Sequence, residues 1–175
     1  MLTIRHATLD DIPLIRELCL QVWPQTYAPL LSKAQIDYML ELMYSADSLA
    51  RQLAEGADYL LCHDDSVPAG FASVVDHGGG SFKLEKLNVL PSQHGKGAGR
   101  FIIDYITGTI AAKGARTLQL QVNKRNAAKR FYEKLGFTVA REAVFDIGNG
   151  FVMDDYVMEL SVVPVSESLT PTPAA

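Results

Sequence analysis

Cysteine is scarce in this sequence, with two in 175 residues, Cys19 and Cys62. That is too few for the disulfide framework of a small secreted domain. Cys19 lies in a helical pattern and Cys62 in a strand pattern, where free cysteine behaves as a small buried hydrophobe. No apolar run approaches the ~18 residues of a membrane span. The N-terminus enters Leu2-Thr3-Ile4-Arg5 without the basic and apolar regions of a signal peptide. These absences point to a cytoplasmic protein with no membrane partner. The four histidines, His6, His63, His77 and His94, are isolated and lack metal-ligand spacing, so no metal is expected. No G-x-S-x-G nucleophile elbow occurs. A net charge of −4 argues against nucleic acid as a partner, since its binders tend to be basic as whole domains.

Two familiar phosphate-binding frames are missing as well. A P-loop needs two glycines five apart followed by Lys and Ser/Thr, which Gly95-Lys96-Gly97-Ala98-Gly99-Arg100 does not supply. The dinucleotide fingerprint would need a third glycine at Arg100, and an acid about 20 residues on, where 113–122 has none.

What the chain does have is concentrated in residues 84–137. Residues 84–99 read LEKLNVLPSQHGKGAG: a β-like run to Val89, Pro91, three alternating glycines and then a helical pattern. A strand, a glycine-rich turn and a helix start make an anion site, because first-turn N–H groups lack intrahelical acceptors. Ten of the sixteen Lys/Arg lie between Lys83 and Arg130, against only Glu85 and Asp104. That segment carries +8 and the remainder −12. A local basic segment in an acidic chain suits a small anionic ligand.

At 48% hydrophobic content the chain forms one domain with a sizeable core, expected over 1–162. The Ser/Thr/Pro/Ala-rich residues 163–175 are expected to be a disordered tail. Leu2–His6 alternates as a strand. Thr8 opens a capping box with Asp11 for a helix through about Val22, stopped by Trp23-Pro24. Ser32 caps a second helix, and a third covers Leu49–Leu53. Strands follow at 57–63, 69–77 and 82–89, with Gly78-Gly79-Gly80 as a hairpin turn. Then come helix 97–113, strand 117–122, helix 127–135, and strands 137–146 and 151–162. This order gives an α/β (α+β) fold with a mixed, mainly antiparallel sheet of about seven strands and helices on both faces.

The chain resembles the GNAT superfamily of acetyl-CoA-dependent N-acetyltransferases. The cofactor motif of that family, V-x-P then Q/R-x-x-G-x-G/A at a helix start, reads Val89-Leu90-Pro91 and His94-Gly95-Lys96-Gly97-Ala98-Gly99. His94 stands where the family usually has Gln or Arg. A second motif, in loose form, matches Asn126, Tyr132, Gly136 and Phe137, with Lys129 at the usual Ala. The resemblance implies acetyl-CoA as cosubstrate and a sheet splayed at its fourth and fifth strands. It places Gly95, Lys96, Gly97, Ala98, Gly99 and Arg100 on the pyrophosphate. It sets the backbone of Leu87 and Val89 along the pantetheine arm, and Asn126 at the cofactor or as a helix cap. Tyr132 is the family's usual general acid for the departing thiolate, against a plain packing role under Phe137. Several members place a base on the fourth strand. By period two Glu85 shares a face with Leu87 and Val89, so it is the candidate base, against a surface carboxylate paired with Lys83 or Lys86. By resemblance the acceptor wall includes Trp23, Tyr27, Asp154 and Asp155, which suit a cationic small-molecule amine. The expected activity is N-acetyl transfer to a primary amine by direct attack in a ternary complex. A non-catalytic acyl-CoA sensor and a protein acetyltransferase are the alternatives, and a homodimer is left open.

Overall fold

The structure, a computed structural model, describes residues 1–163; most of the expected tail, 164–175, lies outside them. The described chain runs β1 (Leu2–His6), α1 (Ile12–Tyr27), α2 (Lys33–Tyr44), α3 (Ala46–Ala54), β2 (Asp58–Asp64), β3 (Val67–Asp76), β4 (Ser81–Val89), α4 (Ala98–Ala111), β5 (Thr117–Asn123), α5 (Ala128–Lys134), β6 (Thr138–Gly148) and β7 (Phe151–Ser161). The seven strands form one sheet in the order β1-β2-β3-β4-β5-β7-β6. Only β4 and β5 pair parallel; all other neighbours are antiparallel.

The sheet separates two cores. Leu60, Cys62, Ala72, Val74, Phe82 and Leu84 point to α4 and α5, where they meet Ile102, Ile103 and Ile106. Tyr59, Leu61 and Phe71 point to the other face and pack on Ile15, Leu18 and Trp23 of α1 and Met39 of α2. β2 and β3 feed both cores, so their middles are continuously buried. β5 differs. Leu118, Leu120 and Val122 are buried while Gln119, Gln121 and Asn123 are only half-buried. Strict alternation of this kind marks a strand with one covered and one open face. Both cysteines are free and buried.

The largest boundary differences from the sequence expectation fall on the first and third helices. The first helix does not stop at Trp23-Pro24 but runs through Pro24 to Tyr27. Pro24 removes the donor to the Leu20 carbonyl. Leu20 is 56% exposed, so water can serve that carbonyl, and Ala28 N–H donates to the Pro24 carbonyl to hold the last turn. The helix also enters through a short 3-10 turn at Leu9–Asp11, with Thr8 N–H donating to Asp11 Oδ2 at 2.9 Å. The third helix begins earlier than expected, at Ala46, because the Ser45 hydroxyl accepts from Ser48 N–H and caps it.

Candidate active site

The parallel pair β4–β5 is joined only from Ser81 to Leu84 on one strand and from Thr117 to Leu120 on the other. Past those residues the strands part while β4 stays paired to β3 up to Val89. The β3–β4 register shifts between Ser73 and Val74, so that Ser73 faces Lys86, Val74 faces Leu84, and Glu85 has no partner. Glu85 is therefore the extra residue of a β-bulge at the apex of the opening. Leu90 N–H donates to the Ala69 carbonyl on β3. Backbone groups alternate along an antiparallel strand, so those of Leu87 and Val89 face the gap. There, the Val89 carbonyl lies 3.0 Å from His94 Nε2. A carbonyl can only accept, so Nε2 carries the proton.

The glycine-rich turn sits at the mouth of this gap. Gly95 and Gly97 have φ of +76° and +87°, a region that costs a side chain energy. A Cβ at either residue would meet nothing within 4 Å, so the space above the turn is open. Gly99 serves packing instead: a Cβ there would come 2.9 Å from Phe131 Cζ. α4 starts at Ala98, and its first internal bond is from Phe101 N–H to the Gly97 carbonyl. The amides of Ala98, Gly99 and Arg100 thus have no backbone acceptor among the described residues. Lys96 and Arg100 are exposed beside them. Gln93 Oε1 is buried without a hydrogen-bond partner among the described residues. Free donors, two cations and open space fit a pyrophosphate group.

Tyr132 comes from α5. It is 9% exposed and packs edge-on against Phe131 and Phe137, with centroids 5.3 and 5.7 Å away. Burial pushes its phenol well above the usual range, and the neighbouring Tyr27 adds to this. The hydroxyl therefore stays protonated and can donate. The Asn126 side chain accepts from Ala128 N–H at 2.9 Å, so it caps α5. Tyr27 stacks on Trp23 at 4.3 Å, and burial followed by the charge of Asp155 raises its phenol to about 12.

Several expected site residues sit differently from their sequence reading. Period two does not carry across the bulge. Phe82, Leu84, Leu87 and Val89 all pack on the α4–α5 core, and Glu85 does not share their face. Its carboxylate is 3.6 Å from Lys83 Nζ and 4.0 Å from His77 Nε2. Trp23 is 5% exposed; it backs Tyr27 and does not line the wall. Asp154 and Asp155 cannot share a face, being consecutive in β7. Asp154 is exposed and paired with Lys124 at 3.0 Å. Asp155 is 2% exposed, stands opposite Asn123, and has Gln121 Nε2 at 3.5 Å. Burial raises its carboxyl to about 6.

The open side of β5 is roofed by Arg125 and Gln35, which the sequence did not single out, together with the aromatic residues Tyr38 and Phe151. Arg125 donates to the carbonyls of Leu30 at 3.1 Å and Pro29 at 3.2 Å, tying the α1–α2 loop to the end of β5. Across the cleft, Gln35 Nε2 donates to the Val152 carbonyl at 2.7 Å and Tyr38 Oη to the Ile147 carbonyl at 2.6 Å. Tyr38 also packs on Phe151. These links fasten α2 to the β6–β7 hairpin. A sequence signal for the missed residues was the polar alternate set Gln119, Gln121 and Asn123 on β5.

A sheet that opens only at its parallel pair, beside a glycine-rich helix entry, is the arrangement of an N-acetyltransferase. A family model described as an acetyltransferase (GNAT) domain matches residues 27–160, and the chain belongs to that family of acyltransferases. An uncharacterized N-acetyltransferase of Mycobacterium tuberculosis is 27% identical over 158 residues, spanning 89% of this chain and 100% of the relative. Among solved structures, the fold matches the PaiA N-acetyltransferase of Thermoplasma acidophilum in complex with coenzyme A. The TM-score is 0.78 at 23% identity, over 92% of this chain and 99% of that one. It also matches the ribosomal-protein-S18-alanine N-acetyltransferase of Escherichia coli, with a TM-score of 0.71 at 21% identity, over 98% and 100% of the two chains.

Proposed function

We propose that the protein transfers an acetyl group from acetyl-CoA to a primary amine of a small molecule, by direct attack in a ternary complex. The observation that carries this reading is the gap between β4 and β5, with the 95–100 turn at its mouth and Tyr132 in the core on which Leu87 and Val89 pack. Amides of Ala98, Gly99 and Arg100, with Lys96 and Arg100, hold the pyrophosphate. Leu87 and Val89 offer the pantetheine arm a strand edge of the kind used in β-augmentation. For the Val89 carbonyl to bond the arm, His94 must yield it or share it. Tyr132 donates its proton to the leaving thiolate, which a buried phenol kept neutral can do. Neither cysteine lies in the gap motifs and both are buried, so a covalent acetyl-cysteine stage has no nucleophile there.

The acceptor class follows from the roof of the cleft. A peptide needs an open groove between the α1–α2 loop and the β6–β7 hairpin. In this chain Gln35, Tyr38 and Arg125 bridge that space, which favours a compact acceptor. The acidic balance outside the 83–130 segment favours a cationic one. The test is an acetylation screen across polyamines, amino acids, aminoglycosides and peptides, read as coenzyme A release. Turnover of a small cationic amine supports the reading. A hit confined to peptides makes the chain a protein acetyltransferase instead. Tight cofactor binding with a silent panel makes it an acyl-CoA sensor.

A further inference from the structure

With the pyrophosphate at the 95–100 turn and the arm along Val89 and Leu87, the thioester points back toward the apex of the gap, where the ladder ends at Leu84 and Leu120. The α4–α5 side of the gap is filled by packed side chains, so the acceptor comes from the opposite face. The groups lining that face form one connected row across three strands. Lys83 Nζ of β4 donates to Gln121 Oε1 of β5 at 2.5 Å and lies 3.6 Å from Glu85 Oε2 at the bulge. Gln121 Nε2 in turn lies 3.5 Å from Asp155 Oδ2 of β7. The Gln121 amide thus turns its oxygen to the ammonium and its NH2 group to the buried carboxylate.

We propose that Lys83 is a specificity-determining residue that limits the acceptor to an amine carrying a single ammonium. This rests on the acetyl-transfer reading above. Two carboxylates, Glu85 and Asp155, flank the place where the amine attacks, and the Lys83 ammonium already stands between them. One negative charge is left over, which balances one incoming ammonium. Lys83 therefore fills the position that the second ammonium of a diamine would need. Its charge also opposes a second cation brought close to it, since like charges set side by side are strongly disfavoured.

The rest of the cleft offers a second cation no substitute. Glu142 and Asp154 are committed to Lys124, at 3.4 and 3.0 Å. Past the end of β5, Arg125 gives its guanidinium to the neutral carbonyls of Leu30 and Pro29, so that end of the roof is cationic. Glu159 stands opposite Gln119, in the part of the sheet where β4 and β5 are still joined. Burial raises the Asp155 carboxyl only to about 6, with Lys83 and Lys124 favouring its ionised form and Asp154 opposing it. Its negative charge is therefore present at neutral pH.

The experiment measures kcat/KM for pairs of amines of equal length, in which one member carries a second ammonium at its far end: butylamine with putrescine, and norleucine with lysine. Wild type, Lys83→Met and Lys83→Arg are compared, and calorimetry with coenzyme A tests folding and cofactor binding. Wild type should prefer the single-ammonium member by ~10-fold or more, the scale of a like-charge contact at a half-buried site. Lys83→Met keeps the side-chain length without the charge, and should move that ratio by ~10-fold or more toward the diamine with coenzyme A affinity unchanged. Lys83→Arg keeps the charge and should keep the wild-type ratio. A merely structural defect in Lys83→Met would lower both rates alike and leave the ratio where it was. That result, or a wild type that prefers the diamine, overturns the assignment and leaves the acetyl-transfer reading standing. The wild-type ratio decides by itself if Lys83→Met fails to bind coenzyme A. A wild type silent on every small amine overturns both.

Discussion

Replacing Asp155 by Asn should make the protein more stable at the pH where it works, and by an amount the structure sets. Burial moves the Asp155 carboxyl from 3.8 to about 6. The folded state therefore binds this proton more tightly than the unfolded chain does. The associated stability is fully present below pH ~4, is lost as pH rises through ~6, and is gone by pH 8. Two units correspond to about 3 kcal/mol, of which about 2–3 kcal/mol disappears between pH 4 and pH 8. Asn has no such titration, so it serves as a reference of nearly equal shape. The stability difference between Asp155→Asn and wild type should rise by about 2–3 kcal/mol across that interval, equivalent to ~4–10 °C in Tm for a chain of this size. Urea melts followed by fluorescence of Trp23, the only tryptophan and 5% exposed, measure both proteins at each pH. A difference that is flat in pH, or that falls, would mean that Asp155 ionises at no cost and would refute the reasoning.

Tyr132→Phe should lower kcat by roughly 10- to 1,000-fold while coenzyme A affinity changes little; steady-state kinetics with calorimetry checks it, and an unaffected kcat removes Tyr132 from the mechanism. Gly97→Glu places a charged side chain in the open turn at φ +87°, and calorimetry should find coenzyme A binding abolished. Gly70→Ala would set a Cβ 2.4 Å from the Asn88 carbonyl oxygen. That forces β3 and β4 apart next to Val89, at a cost of about 1–3 kcal/mol or more. Tm should fall by ~2–10 °C and cofactor affinity should weaken; a variant with wild-type melting would show that the two strands separate without penalty.

Local signals made the fold legible. The order of strands and helices follows from period-two and period-3.6 patterns, and the triple glycine of the β3–β4 hairpin has φ > 0 throughout. The cofactor turn was legible for the same reason, since glycine alternation and the helix start are written in contiguous residues. What failed was parity across longer spans. A bulge inserts one residue without any composition cue, so a single register shift near Ser73 moved Glu85 off the face that alternation assigned to it. The pair Asp154 and Asp155 shows the converse. Alternation alone says that only one of them can face the acceptor, but it does not say which one. The choice is made by β7 pairing with β5, which sets Asp155 beside Asn123 and sends Asp154 to Lys124. Pro24 misled because its missing hydrogen bond falls on the exposed side of α1, where water compensates.

The opening between β4 and β5 does more than admit a ligand. Tyr132 belongs to the core beneath α4 and α5, and Tyr27 packs with the core beneath α1 and α2. In an intact sheet a hydrogen-bonded ladder would separate two such side chains, since layers packed on a sheet lie about 10 Å from it. Here the charge of Tyr27 adds to the burial that raises the Tyr132 phenol, and the ladder between the strands ends at Leu84 and Leu120. Each ladder group left unpaired in the gap carries a desolvation penalty unless something meets it. His94 meets one, at the Val89 carbonyl, and a bound cofactor would meet the others. On the acetyl-transfer reading proposed above, the missing ladder therefore gives the cofactor arm its strand edge on β4 and leaves Tyr132 as the donor for the leaving group. A change that zipped β4 onto β5, however stabilising, should remove activity by closing the strand edge of Leu87 and Val89 to the cofactor.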